Sequence, residues 1–122
     1  MDNYRAEKPH KKLILWKRSI DLVSLIYRTV NNFPREEEFG LKSQMRRAAV
    51  SVPSNIAEGL TRATKGDKLR FLNITRGSLS ELDAQVEISA TLGYLSKQQK
   101  SVVDENLTAV EQLLSGLIRS IR

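Results

Sequence analysis

Three carboxylates and one histidine are the residues of this sequence with the first claim on metal chemistry. Glu58, Glu81 and Glu87 fall in stretches of helical spacing. A helical bundle can hold paired metal ions between inward glutamates and Glu-x-x-His pairs on facing helices. The one imidazole is His10, in a polar N-terminal stretch outside the helical spacing, so no imidazole joins these carboxylates and ion pairing is their expected role. Ser51, Ser54 and Ser78 offer hydroxyl nucleophiles, but no histidine in the body of the chain can take their proton. Arg62-Ala63-Thr64-Lys65-Gly66-Asp67-Lys68 has the lysine and glycine of a phosphate loop. It lacks the second glycine spacing and follows a helical pattern instead of a strand. Catalytic residues, metal ligands and a cofactor are therefore not expected.

Two other constellations point to binding. Gln44, Ser51, Asn55, Glu58 and Arg62 step by seven, four, three and four, which places them on one helical face beside an apolar seam. Ser78, Glu81 and Gln85 recur with similar regularity further on. Polar groups so placed are costly unless paired, so the stripe reads either as a hydrogen-bonded network or subunit contact, or as a ligand surface. Arg46, Arg47, Arg62, Lys65, Lys68, Arg70 and Arg76 form the second set. They could neutralise phosphates and hold a nucleic acid without reading its sequence, or form a solvated surface with intramolecular ion pairs. The few aromatics mostly sit at expected core positions, so a stacking platform for single strands is not indicated.

The elements that position these residues are helices. Trp16, Ile20, Val23, Tyr27 and Val30 step by four, three, four and three and predict the buried face of a first helix, stopped at Phe33-Pro34. Glu36-Glu37-Glu38 and Gly40 open a second helix, where carboxylates suit the positive end of the dipole. Its seam is Leu41, Met45, Ala48, Val52 and Ile56. Pro53 interrupts the sequence but not the phase, which predicts one helix kinked near Ser51 to Pro53. Asp67 is the expected N-cap of a third helix with two seams, Leu72, Thr75, Leu79, Leu82, Val86 and Ala90 beside Phe71, Ile74, Ser78, Glu81, Gln85, Ile88 and Leu92. So wide a buried face implies contact with more than one layer, either two neighbouring helices or one helix plus another subunit, and Gly77 would permit close approach. Gly93 ends this helix, and Ser96 with Gln99 makes a capping box for a fourth, whose seam runs Val103, Leu107, Val110, Leu114, Leu117 and Ile121. Short connections make the neighbours antiparallel. The expectation is an all-α, up-down-up-down four-helix bundle over residues 13–122, preceded by an arm over 1–12.

Composition bounds the rest. The 122 residues suffice for one domain with its own core, and the absence of cysteine excludes disulfides and thiolate metal sites and suits a reducing, cytoplasmic setting. No apolar run approaches the ~20 residues of a membrane span, and the N-terminus lacks a signal-peptide core, so neither membrane nor export is expected. The net charge of +6 is uneven: residues 1–76 carry 16 Lys and Arg against 8 Asp and Glu, or +8, while residues 77–122 carry 4 against 6, or −2. The positive field therefore belongs to the first two helices and the start of the third, and favours polyanions or acidic protein surfaces.

The segment from Gly40 to Gly59, GLKSQMRRAAVSVPSNIAEG, closely resembles the signature of the four-helix-bundle family named for 23S rRNA intervening-sequence proteins. Leu15 to Leu22 resembles the family's first helix, and Phe71-Leu72, Gly77 to Leu82, Gln85, Glu87-Ile88 and Leu92 to Leu95 extend the likeness to roughly residues 12–120. The resemblance implies a homopentamer, with the helix 2 stripe and the wide face of helix 3 as interface candidates. Similar accessory proteins of diversity-generating retroelements are basic pentamers that bind nucleic acid and a reverse transcriptase. What this implies here is a non-enzymatic oligomer that binds RNA or DNA, or a scaffold for a protein partner such as a reverse transcriptase. It supplies no catalytic residues.

Overall fold

The computed structural model describes His10 and residues 13–122. Four helices follow one another: α1 (Ile14–Val30), α2 (Leu41–Leu60), α3 (Lys65–Thr91) and α4 (Lys97–Ile121), with a 3-10 turn at Arg35–Glu37 between the first two. There is no strand among the described residues. Each helix packs on its neighbours in sequence and α4 closes against α1, with the backbones of diagonal helices further apart. The result is the expected up-down-up-down, four-cornered bundle. The arm expected over residues 1–12 lies outside the described residues except for His10, whose imidazole meets Trp16 edge-on at 5.0 Å.

The seams of α2 and α4 bury as their spacing requires. Leu41, Met45, Ala48, Val52 and Ile56 of α2 face Leu72, Leu79, Leu82 and Val86 of α3 across a core completed by Val103, Leu107, Val110 and Leu114. In the last turn of α4, Ile118 is the buried residue, and Leu117 and Ile121 pack at its edge. Helix α2 runs unbroken through Pro53. The ring costs one ladder hydrogen bond, and the Pro53 carbonyl accepts one from the Trp16 indole N–H at 3.2 Å, which ties α1 to α2 at that level.

On α1 the buried face keeps Val30 of the expected set but is otherwise rotated from it. Leu15, Ser19, Leu22, Ile26, Thr29 and Val30 turn inward, while Trp16 and Val23 are half-buried and Ile20 and Tyr27 are exposed. Two apolar stripes run along α1 side by side, and the core takes the one that includes two hydroxyls. Those hydroxyls are satisfied inside the helix, Ser19 donating to the Trp16 carbonyl at 2.6 Å and Thr29 to the Leu25 carbonyl at 2.7 Å, so their burial costs little.

The helix ends explain the remaining differences. Glu36 and Glu37 lie in the 3-10 turn, and α2 starts only at Leu41, whose N–H donates to Glu37 Oε1 at 3.0 Å. The N-cap of α3 is Thr64, not Asp67: the Thr64 hydroxyl accepts from the Asp67 N–H, which leaves Asp67 as the acidic residue of the first turn. Gly93 adopts φ +82°, and the Tyr94 and Gly93 N–H groups donate to the carbonyls of Ser89 and Ala90 at 2.9 and 3.0 Å, a Schellman closure. Ser96 and Gln99 form the full capping box on α4.

Candidate nucleic-acid interface

Both binding constellations depend on the antiparallel pair α2 and α3. The chain turns between them in a few residues, and Gly59 lets the helices close: a Cβ there would lie 3.0 Å from Phe71 Cβ and 3.3 Å from the Lys68 carbonyl oxygen. Gly77, expected to serve close approach, has nothing within 4 Å and is exposed, so within the chain Gly59 does that work.

The polar stripe is a connected network in part. The Ser51 and Ser78 hydroxyls share a hydrogen bond across the helix pair, and Asn55 Nδ2 donates to the Ser51 carbonyl at 2.8 Å and to its hydroxyl at 3.3 Å. Glu58 and Arg62 form an ion pair one turn apart. Gln44 lies exposed at the start of the stripe. On α3, Ser78 and Gln85 are buried and Glu81 is exposed; Gln85 Nε2 reaches Glu81 Oε2 at only 3.5 Å, and its own carbonyl oxygen is buried with no partner. The second α3 seam is therefore not a buried face. Ile74, Ile88 and Leu92 are exposed and Phe71 is half-buried.

The seven basic residues do not form one patch. Arg62, Lys65, Lys68 and Arg70 gather around the α2–α3 turn, while Arg46 and Arg47 lie roughly 20 Å back along α2. Arg76 follows the turn group by about two turns of α3. Three of the seven are held by the protein itself. Arg46 pairs with Glu38 at 3.5 Å and lies over the Tyr27 ring at 5.8 Å; Arg62 pairs with Glu58, lies over Phe71 at 4.7 Å, and buries an unpartnered Nε; Lys68 donates to the Leu60 carbonyl at 3.4 Å. Arg70 covers Phe71 at 4.5 Å. Arg47, Lys65, Arg70 and Arg76 are exposed and have no ion-pair partner among the described residues.

Charge elsewhere is local. The hydrogen bond from Lys42 at 3.0 Å holds the Glu38 carboxyl below its usual range. Tyr94, donating to Glu37 Oε2 at 3.0 Å, has its phenol pushed up by that carboxylate. Lys100 bridges Asp104 at 2.6 Å and Glu87 at 3.0 Å, which raises its pKa and assigns Glu87 an ion-pairing role. Among the described residues no three His, Cys, Asp or Glu side chains gather as a metal site would need, and no helix is long and apolar enough to cross a membrane.

The model of the 23S rRNA-intervening sequence protein family matches residues 11–116. The chain belongs to that family. The match spans all four helices, and the segment Gly40 to Gly59 within it is α2 almost whole, the helix that carries the core seam, the stripe and Arg46-Arg47. Among solved structures, one similar chain is a protein of unknown function from the S23 ribosomal protein family of Bacteroides thetaiotaomicron. It is 22% identical, with a TM-score of 0.77 over 86% of this chain and 98% of that one, and the likeness shows the shared fold. No curated protein matches the chain.

Sequence reasoning missed one surface. Trp16, Ile20 and Val23, read as core, border an open groove against Val50, Pro53, Ser54 and Ala57, and Tyr27 is exposed. The signal was present as a second apolar row on α1, Leu15, Leu22 and Ile26, which competed for the same core.

Proposed function

We propose that this family member acts as a non-enzymatic, homo-oligomeric bundle, a pentamer, that binds RNA or DNA through phosphate contacts. The observation that carries the reading is the outward set Arg47, Lys65, Arg70 and Arg76, four cations on the α2–α3 side that no carboxylate among the described residues neutralises. Arg46, Arg62 and Lys68, each held by a partner in the chain, contribute to the positive field more than to direct contact. Repeating this surface around an oligomer multiplies the field along a polyanion, and nothing in the set distinguishes one base from another.

The test is a salt series on a generic single-stranded RNA followed by fluorescence anisotropy. Four phosphate contacts per protomer predict an affinity that falls roughly 50-fold between 50 and 200 mM salt, and roughly 7-fold once Arg47→Ala and Arg76→Ala remove two of them. Salt-independent binding, or none at 50 mM, contradicts the reading. A second reading, a scaffold for a protein partner such as a reverse transcriptase, is favoured by Phe39, which is 93% exposed at the tip of the loop before α2. A pull-down that survives nuclease and is lost in Phe39→Ser supports that reading.

A further inference from the structure

Among the large apolar side chains left exposed, Phe39 stands apart at 93%, the next being Ile14 at 65%. It lies between the 3-10 turn and α2, in a loop held from both sides. The Glu37, Glu38 and Gly40 N–H groups donate to the Pro34, Arg35 and Glu37 carbonyls at 2.9, 3.1 and 3.1 Å. Glu37 ties the loop down twice more, accepting from the Leu41 N–H at Oε1 and from the Tyr94 hydroxyl at Oε2, each at 3.0 Å. Tyr94 in turn packs on the buried ring of Phe33 at 5.2 Å. Gly40 makes room for this arrangement, since a Cβ there would lie 2.8 Å from Glu37 Oε1. The residues on either side of Phe39 are fixed while its ring stands in water.

A free loop can fold an apolar ring back onto the protein surface. A loop tied at so many points cannot, so the exposure of Phe39 is built into the turn. Leaving a phenyl ring in water forgoes the stabilisation its burial would bring, and a ring on a preordered loop has little entropy left to lose on docking. A single aromatic presented in this way fits a pocket on another molecule, where such anchors carry most of the binding energy. We infer that Phe39 is the anchor for a protein partner whose pocket has an apolar floor and a basic rim. This rests on the scaffold reading above and names its point of contact.

Charge selects the class of partner, because the bundle is polarised along its axis. The half that holds the α2–α3 turn, residues 14–21, 51–77 and 111–122, carries 9 Lys and Arg against 4 Asp and Glu, or +5. The half that holds Phe39, residues 22–50 and 78–110, carries 7 against 8, or −1. Within the loop Arg35 stands against Glu36, Glu37 and Glu38. Lys42 and Arg46 pair with Glu38, whereas Glu36 and Glu37 have no ion-pair partner among the described residues. A nucleic acid or an anionic membrane is drawn to the opposite end, so neither covers Phe39. Carboxylates beside the ring match Lys or Arg at the edge of a protein pocket, where opposite charge orients the partner and the ring supplies the affinity.

The test places the photo-cross-linker p-benzoylphenylalanine at position 39 of the full chain, expressed and irradiated in the cells the protein comes from. Phe39 lies outside the core, so circular dichroism should show native helicity for every variant at this position. The expected result is a nuclease-resistant adduct to a different protein, through a peptide that is apolar and carries Lys or Arg. With that protein purified, Phe39→Ala lowers the affinity at least roughly 30-fold. Glu36→Lys slows association roughly ten-fold and changes dissociation little. An adduct to a second copy of this chain, to lipid or to nucleic acid overturns the inference, as does a cross-linked peptide without Lys or Arg. A protein partner held equally by the wild type and by Phe39→Ala overturns it too, although the scaffold reading then stands. No protein partner at all overturns both.

Discussion

The two flanks of α2 share one core seam and are otherwise opposites. Towards α3 the helix offers Ser51, Asn55, Glu58 and Arg62, and each finds a partner in the same chain. Towards α1 it offers Val50, Pro53 and Ala57, where the described polar contact is the indole on the Pro53 carbonyl and a groove stays open. A buried hydroxyl or amide demands a directed partner at hydrogen-bond distance, so the polar flank has to be closed by its own fold. Apolar surface makes no such demand and can wait for another surface to cover it. The contrast separates surface that this chain closes by its own fold from surface that its fold leaves open.

Substitutions on each flank break or sharpen that contrast. The largest effect is expected from Gly59→Leu, because the backbone of α3 lies against the missing Cβ; overpacking there costs about 3 kcal/mol, read from urea unfolding. Ser51→Ala leaves the Ser78 hydroxyl buried without its partner and costs about 1–2 kcal/mol, whereas adding Ser78→Ala costs less than the sum of the two singles. A double-mutant cycle with no coupling energy would contradict the network. On the apolar flank, Ile20→Ser should change the unfolding free energy of the dilute, dissociated chain by under about 0.5 kcal/mol, since its side chain is already exposed.

The smallest effect is expected at Glu111. Burial, and then the neighbouring Asp83 charge, push its carboxyl above the usual range. A carboxyl raised in the folded state disfavours folding while ionised, and that cost disappears as pH falls through its folded pKa. Glu111→Gln should therefore raise the melting temperature slightly at pH 7, with the gap closing in acid. A gap that widens in acid would show the sign to be wrong.

Much of this fold was legible in the sequence because few residues compete for each role. The α2 seam from Leu41 to Ile56 has no rival stripe, so its phase survives Pro53. Gly93 and the Ser96/Gln99 pair each satisfy helix ends in ways few other residues can. Helix α1 misled because it has two apolar rows, and the one that won includes Ser19 and Thr29, whose hydroxyls are answered by their own helix. Thr64 and Asp67 are both good caps, and periodicity does not extend far enough into Lys65-Gly66 to choose between them. Of the basic residues, the Glu58–Arg62 pair was readable as a one-turn spacing. That Glu38 reaches Arg46, or that the Leu60 carbonyl holds Lys68, depends on how the loop and helices meet, and no local pattern encodes it.

Solution mass tests the proposed oligomer most directly, because it counts the copies that meet. Light scattering at micromolar concentration should give a single species at roughly five times the 13.8 kDa protomer. A wild-type chain that scatters at 13.8 kDa across the concentration range, with the groove open to water, would contradict the account.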